Sequence, residues 1–215
     1  MNCSPDDCRF DSAPNADTLL IFAHGAGADM AHPFMQTLTE LLVAQGFAVL
    51  RFNFPYMQKR AEDGKRRPPD RAPKLLARFS EVLQQVCDEQ AYQRVFLLGK
   101  SMGSRMATTL AGEPLPAVVK GVICLGYPFL PKGKTAPRIE AIEQCLLPIL
   151  IVQGERDSFG TQTQLEQWPL PTNITVEFLP DGDHSFEPRK RADVSLAQNY
   201  HHAVTAITAF VRSHP

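Results

Sequence analysis

The chain has 215 residues, 44% of them hydrophobic and 21% charged, with 22 Lys+Arg against 23 Asp+Glu for a net charge of -1. Those values predict one globular domain, residues 1–215, with one good core. The balanced charge argues against a nucleic-acid or anionic-membrane binder, both of which use a basic excess, and no apolar run approaches the ~18 residues of a membrane span.

The opening Met1-Asn2-Cys3-Ser4-Pro5-Asp6-Asp7-Cys8 carries acids where an export signal needs a basic start and an apolar core, so a cytoplasmic location is expected. The five cysteines (Cys3, Cys8, Cys87, Cys124, Cys145) are odd in number and scattered. Cys124 and Cys145 sit in or beside apolar segments, where a thiol behaves as a small hydrophobe. Cys3 and Cys8 lack the second ligand pair of a zinc site. Reduced thiols, no metal and no disulfide framework are expected.

Apolar runs at residues 18–23, 47–52, 95–98, 118–125, 147–152 and 174–179 predict about six strands. Between them lie helical patterns at 33–45, 74–90 and 101–111, and a last helix is expected over 194–211. Strands apolar on both faces and separated by helices imply a mostly parallel sheet covered on both sides, an α/β fold. Two connections, 53–73 and 126–145, are longer than a compact fold needs. The first is rich in charge, with Arg66, Arg67 and Arg71 among its cations. It reads either as a solvated charged loop or as a rim that attracts an anionic substrate group.

The sharpest motif is Gly99-Lys100-Ser101-Met102-Gly103, a G-x-S-x-G sequence that follows an apolar strand and opens a helix. Chemistry at a serine needs its hydroxyl held clear on a tight strand-to-helix turn, with helix N–H groups beneath it for developing negative charge. A serine capping a helix between two turn glycines is the bland alternative. A phosphate-binding loop ending in Gly-Lys-Ser fits poorly, because its first glycine falls at Arg94.

A serine nucleophile needs a base, and the base an orienting acid. His184 alone of the six histidines lies in a loop just after a predicted strand and downstream of the serine. Asp157, after the strand at 147–152, is the best acid, Glu155 a weaker one, and Asp181 and Asp183 lie too near His184 in sequence. Oxyanion donors are expected from the N–H of Met102 and, in the turn Ala23-His24-Gly25-Ala26-Gly27, from Ala26, with Gly25 second.

These residues carry a family resemblance. His24-Gly25-Ala26-Gly27, Gly99-Lys100-Ser101-Met102-Gly103, Asp157 and His184 resemble a small α/β-hydrolase. Together with Arg51-Phe52-Asn53-Phe54-Pro55-Tyr56 and Lys65-Arg66-Arg67-Pro68-Pro69-Asp70, they are similar to the group related to testis-expressed protein thirty and the third NSL-complex subunit, whose relatives include dienelactone-hydrolase-like enzymes. The resemblance runs from about Thr18 to Val211 and implies a doubly wound, mostly parallel sheet with reduced N-terminal strands and serine-hydrolase machinery.

The function so indicated is hydrolysis of a small-molecule ester or thioester, without cofactor or metal, through an acyl-enzyme on Ser101. The substrate carries an anion if the basic loop reads it. The alternative is a non-catalytic module of the same fold that binds a protein partner, a role that would tolerate loss of Ser, His or Asp. The segment 127–144 is the only candidate lid. At that length it is a minimal cap, predicting an open cleft for short or polar acyl groups.

Overall fold

The computed structural model describes residues 7–89 and 91–215. Seven strands form one sheet: β1 (Cys8–Ser12), β2 (Thr18–Ala23), β3 (Ala48–Phe52), β4 (Arg94–Lys100), β5 (Val119–Leu125), β6 (Ile149–Gly154) and β7 (Ile174–Leu179). Their spatial order is β1-β3-β2-β4-β5-β6-β7. β1 runs antiparallel to β3, and the other neighbours are parallel.

Strand residues alternate between two buried faces. On one, Leu19 and Ile21 of β2 join a cluster with Leu75, Phe79 and Leu83 of α3 (Ala72–Glu89) and Met106 of α4 (Met102–Leu110). On the other, Leu20 and Phe22 meet Leu38 and Leu42 of α1 (Pro33–Ala44) and Ile207 and Val211 of α7 (Leu196–Ser213). Fully burying such a side chain stabilises the fold by roughly 1.5–3 kcal/mol, so each helix is held by the apolar stripe its sequence period creates.

The order has a consequence for chemistry. From β2 the chain crosses to β3 on one side, and from β4 onward it builds outward on the other. The carboxyl ends of β2 and β4 therefore flank a point where the winding reverses, the place where open α/β sheets bind ligands.

The structure corrects several expectations. Among the described residues there are seven strands rather than about six, because β1 is a five-residue edge strand whose Cys-Arg-Phe-Asp-Ser has no apolar run. The connection 53–73 is not all loop: α2 (Pro55–Asp63) occupies its start, with Pro55 in the first turn and Gly64 closing it at φ 69°. Only Tyr56 and Met57 of α2 are buried, so it lacks the apolar stripe that reveals a helix. Short helices also interrupt the later loops, α5 (Glu140–Glu143) and α6 (Gln162–Leu165). Cys8 is disulfide-bonded, whereas Cys87, Cys124 and Cys145 are free thiols. The expectation of reduced thiols thus fails at Cys8, since spacing arguments weigh multi-bridge frameworks and do not address a single bridge. Cys3 lies outside the described residues. Among the described residues, no helix is long and apolar enough to cross a membrane.

Candidate active site

Ser101 stands between β4 and α4 with φ 52° and ψ -109°, a left-handed conformation that costs a non-glycine residue on the order of 1–3 kcal/mol. The flanking glycines make this turn buildable. A Cβ at Gly99 would lie 2.2 Å from the Gly103 carbonyl carbon, and one at Gly103 would lie 2.4 Å from the Ala23 carbonyl oxygen. The buried Ser104 hydroxyl pins the turn, donating to the Gly99 carbonyl at 2.5 Å and accepting from the Leu125 N–H at 3.2 Å. Met102 opens α4, so its N–H has no carbonyl one turn back.

His184 follows β7 and turns its imidazole onto this serine. Its Nε2 accepts from the Ser101 hydroxyl at 2.9 Å, and its Nδ1–H donates to Asp157 Oδ2 at 2.8 Å. A carboxylate only accepts, which places the ring proton on Nδ1 and leaves Nε2 free as an acceptor. Asp157, after β6, is fully buried. Its Oδ2 also accepts from the Gln153 amide at 2.9 Å, and its Oδ1 from the Phe159 N–H at 2.8 Å. The structure thus brings together the three residues named from the sequence.

The competing acids are engaged elsewhere. Glu155 accepts from the Asp181 N–H at 2.7 Å, Asp181 pairs with Arg156 and Arg189, and Asp183 accepts from the Ser185 and Glu187 N–H groups.

The turn after β2 closes over the serine. A Cβ placed on Gly25 would sit 3.6 Å from the Ser101 Cβ, and Gly25 and Ala26 line the same cleft as Ser101. Two buried side chains fix this turn. His24 accepts from the Phe54 N–H at Nε2 (3.0 Å) and donates from Nδ1 to the Gly25 carbonyl (2.7 Å). Burial pushes its imidazole down to about 4, against the pull of the Gly25 carbonyl and of Asp29, so it stays neutral and keeps both bonds. The Tyr56 hydroxyl reaches the Gly25 and Ala26 carbonyls at 3.2 and 3.0 Å. Both carbonyls of the turn are thereby held on the Tyr56 side.

That cleft has a volume of about 390 Å³. Ser101, His184, Ser185, Lys100 and residues 25–28 form one part of its wall, and His32, Phe34, Met35 and Phe159 the rest. No residue of 127–144 lines it. Neither do Arg66, Arg67 or Arg71. Arg66 and Arg71 are exposed, and Arg67 forms a two-pronged pair with Asp63 at 2.7 and 2.8 Å. A shallower depression of about 470 Å³ near Glu187–Gln198 contains Ser195, whose hydroxyl is occupied in capping α7.

Sequence reasoning missed four supports of the site: Tyr56, Gln153, Asn199 and the role of Lys100. Asn199, fully buried on α7, donates to the Pro180 and Phe186 carbonyls at 3.1 and 2.8 Å and so ties both ends of the His184 loop. A buried amide in an otherwise apolar helical stripe was the available signal.

A model of the alpha/beta hydrolase domain matches residues 16–212, nearly the whole chain. The chain belongs to the alpha/beta hydrolase domain family. Solved structures agree on the fold. This alpha/beta hydrolase superposes on a dienelactone hydrolase from Anabaena variabilis with a TM-score of 0.65 at 21% identity, covering 96% of this chain and 89% of that one. It superposes on a serine hydrolase without lid from Xanthomonas campestris with a TM-score of 0.68 at 19% identity, covering 97% and 89%. Against Est1E from Butyrivibrio proteoclasticus, solved with ferulic acid bound, the TM-score is 0.72 at 14% identity, covering 97% and 94%. At these identities the likeness is one of fold, and the chemistry must be argued from the residues. Within that fold, the sheet of this alpha/beta hydrolase keeps one antiparallel strand ahead of its six parallel ones.

Proposed function

We propose that the protein is a serine hydrolase that cleaves a carboxylic ester or thioester through an acyl-enzyme on Ser101. The observation that carries the reading is the unbroken chain from the Ser101 hydroxyl to His184 to the buried Asp157 carboxylate. Ser101 Oγ attacks the substrate carbonyl carbon as its proton passes to His184 Nε2. The carbonyl electron pair moves onto oxygen, where the N–H groups of Met102 and Ala26 receive it, with Gly25 as the alternative donor. Asp157 steadies the imidazolium and does not itself take the proton. When the intermediate collapses, the carbon–oxygen or carbon–sulfur bond breaks and His184 returns the proton to the leaving group. Water then repeats the sequence on the acyl-enzyme, restoring Ser101 and releasing the acid.

Several features support short acyl groups. The cleft is modest, residues 127–144 add no wall to it, and a neighbour of the same fold is described as lidless. The motifs that resemble the group related to testis-expressed protein thirty support placing the chain with those small hydrolases, working as one domain.

The test is labelling with a fluorophosphonate probe, which reports an activated serine without knowledge of the substrate. The adduct is expected on the peptide containing Ser101 and is lost in Ser101→Ala. Labelling at Ser104, or none in folded protein, defeats the proposal.

A further inference from the structure

Lys100 occupies the variable position just before the nucleophile and is 8% exposed. Its ammonium does not turn out to solvent. It crosses from the end of β4 to the His184 loop and donates to the His184 backbone carbonyl at 2.5 Å. The rings of Phe34 and Phe186 lie 5.4 and 5.8 Å from it, close enough for a cation–π contribution. Room for it comes from Gly126 at the end of β5, where a Cβ would stand 2.8 Å from Nζ and 3.2 Å from the His184 Cε1. Groups from β4, the end of β5, α1 and the His184 loop therefore surround one cation held against the His184 backbone.

We infer that Lys100 is a positioning residue for the proposed acyl transfer: its ammonium holds the His184 backbone so that Nε2 stays aligned on the Ser101 hydroxyl. The carbonyl it grips belongs to the histidine itself, so loss of the bond frees the very residue whose orientation the reaction needs. A misplacement of about 1 Å costs on the order of a hundredfold in rate. Asn199 secures the loop at Pro180 and Phe186, on either side of His184, and Lys100 secures its middle.

The bond is charge-assisted and therefore about twice as strong as a neutral one. Burial brings the ammonium down to about 8, with Asp157 and Asp183 pulling the other way. Those carboxylates come from the loops after β6 and β7. From α1 comes the uncharged Phe34, from its N-cap, at the cleft, comes His32, and just after β5 comes Gly126. The grip weakens as pH rises through that value.

Lys100→Met keeps the apolar stem and removes the donor. The expected result is a ten- to hundredfold slower fluorophosphonate labelling of Ser101, a like fall in kcat for p-nitrophenyl acetate, and KM within about twofold. Hydrogen exchange should quicken in the peptide spanning 180–186 and nowhere else. Wild-type rates and unchanged exchange overturn the inference, and so does a general loosening in which kcat, KM and exchange across the whole chain shift together. Should the variant not fold, the wild-type pH profile decides. A few-fold fall in labelling rate between pH 7 and 9.5 supports the role, and a level plateau overturns it. The inference rests on the hydrolase reading, yet the two fail separately. An unlabelled wild type ends that reading, while exchange at 180–186 still reports whether Lys100 holds the loop.

Discussion

Gln153 donates its side-chain amide to the same Asp157 oxygen that accepts the hydrogen bond from His184 Nδ1. Gln153 is itself fully buried and held at both ends, accepting from the Tyr127 N–H at 2.9 Å and donating to the Gly160 carbonyl at 3.2 Å. The carboxylate is thereby fixed by a neutral group that rides on β6.

Replacing that amide should loosen the acid without touching substrate. Gln153→Leu is expected to lower kcat for a short ester by about ten- to a hundredfold with little change in KM. Steady-state kinetics beside a cooperative melt checks it. Unchanged kcat would mean that Asp157 needs no such support.

The acid itself is assigned by contrast. Asp157→Asn should cost several powers of ten in kcat, on the order of 10⁴ as in the serine-protease template, because the amide no longer fixes the Nδ1–H tautomer. Glu155→Gln should be mild, since that carboxylate serves the Asp181 backbone. The reverse ranking would reassign the acid.

His24 makes stability depend on pH. Its folded value of about 4 lies below its ordinary 6.5, so between those limits the unfolded chain binds a proton that the folded one refuses. Stability is therefore full above pH 6.5 and falls as pH drops toward 4, by roughly 3 kcal/mol from this residue. His24→Gln removes the titration. Urea unfolding at pH 7 and pH 4.5 should show a smaller loss in the variant, and parallel losses would exclude His24 as the cause.

Acyl length should matter in one direction. With no wall from residues 127–144, p-nitrophenyl acetate or butyrate is expected to be a better substrate than the palmitate ester. Highest kcat/KM at the long end would point to an apolar tunnel that this cleft lacks.

The basic loop should prove indifferent. Arg67 is committed to Asp63, whose carboxyl it holds well below the ordinary range, and Arg66 and Arg71 face solvent. An Arg66→Ala/Arg67→Ala variant should treat a neutral ester and its carboxylate analogue as wild type does. A selective loss for the anionic ester, relieved by salt, would restore the loop to the site.

What the sequence could tell followed from how local each signal was. Ser101, Asp157 and His184 each follow an apolar strand, and parallel strands deliver their ends to one edge, so strand order along the chain already constrained the triad. Periodicity likewise located α1, α3, α4 and α7. It failed at β1 and α2, whose burial is partial and whose apolar patterns are broken by charge. The supports of the site were hidden for a different reason. Tyr56, Gln153 and Asn199 act through backbone carbonyls or side chains that only the packed tertiary structure brings within reach. Lys100 reaches a carbonyl 84 residues away, which no local spacing encodes.

The bond between Ser101 and His184 spans 83 residues, and the loop that bears His184 is moored to α7, the final helix of the chain. A ribosome delivers Ser101 well before His184 and α7, whereas a domain generally folds as a unit. Without His184 in place, the proposed nucleophile Ser101 is an ordinary alcohol. In the proposed hydrolase, a chain cut short of α7 would therefore carry Ser101 without the moored histidine that activates it.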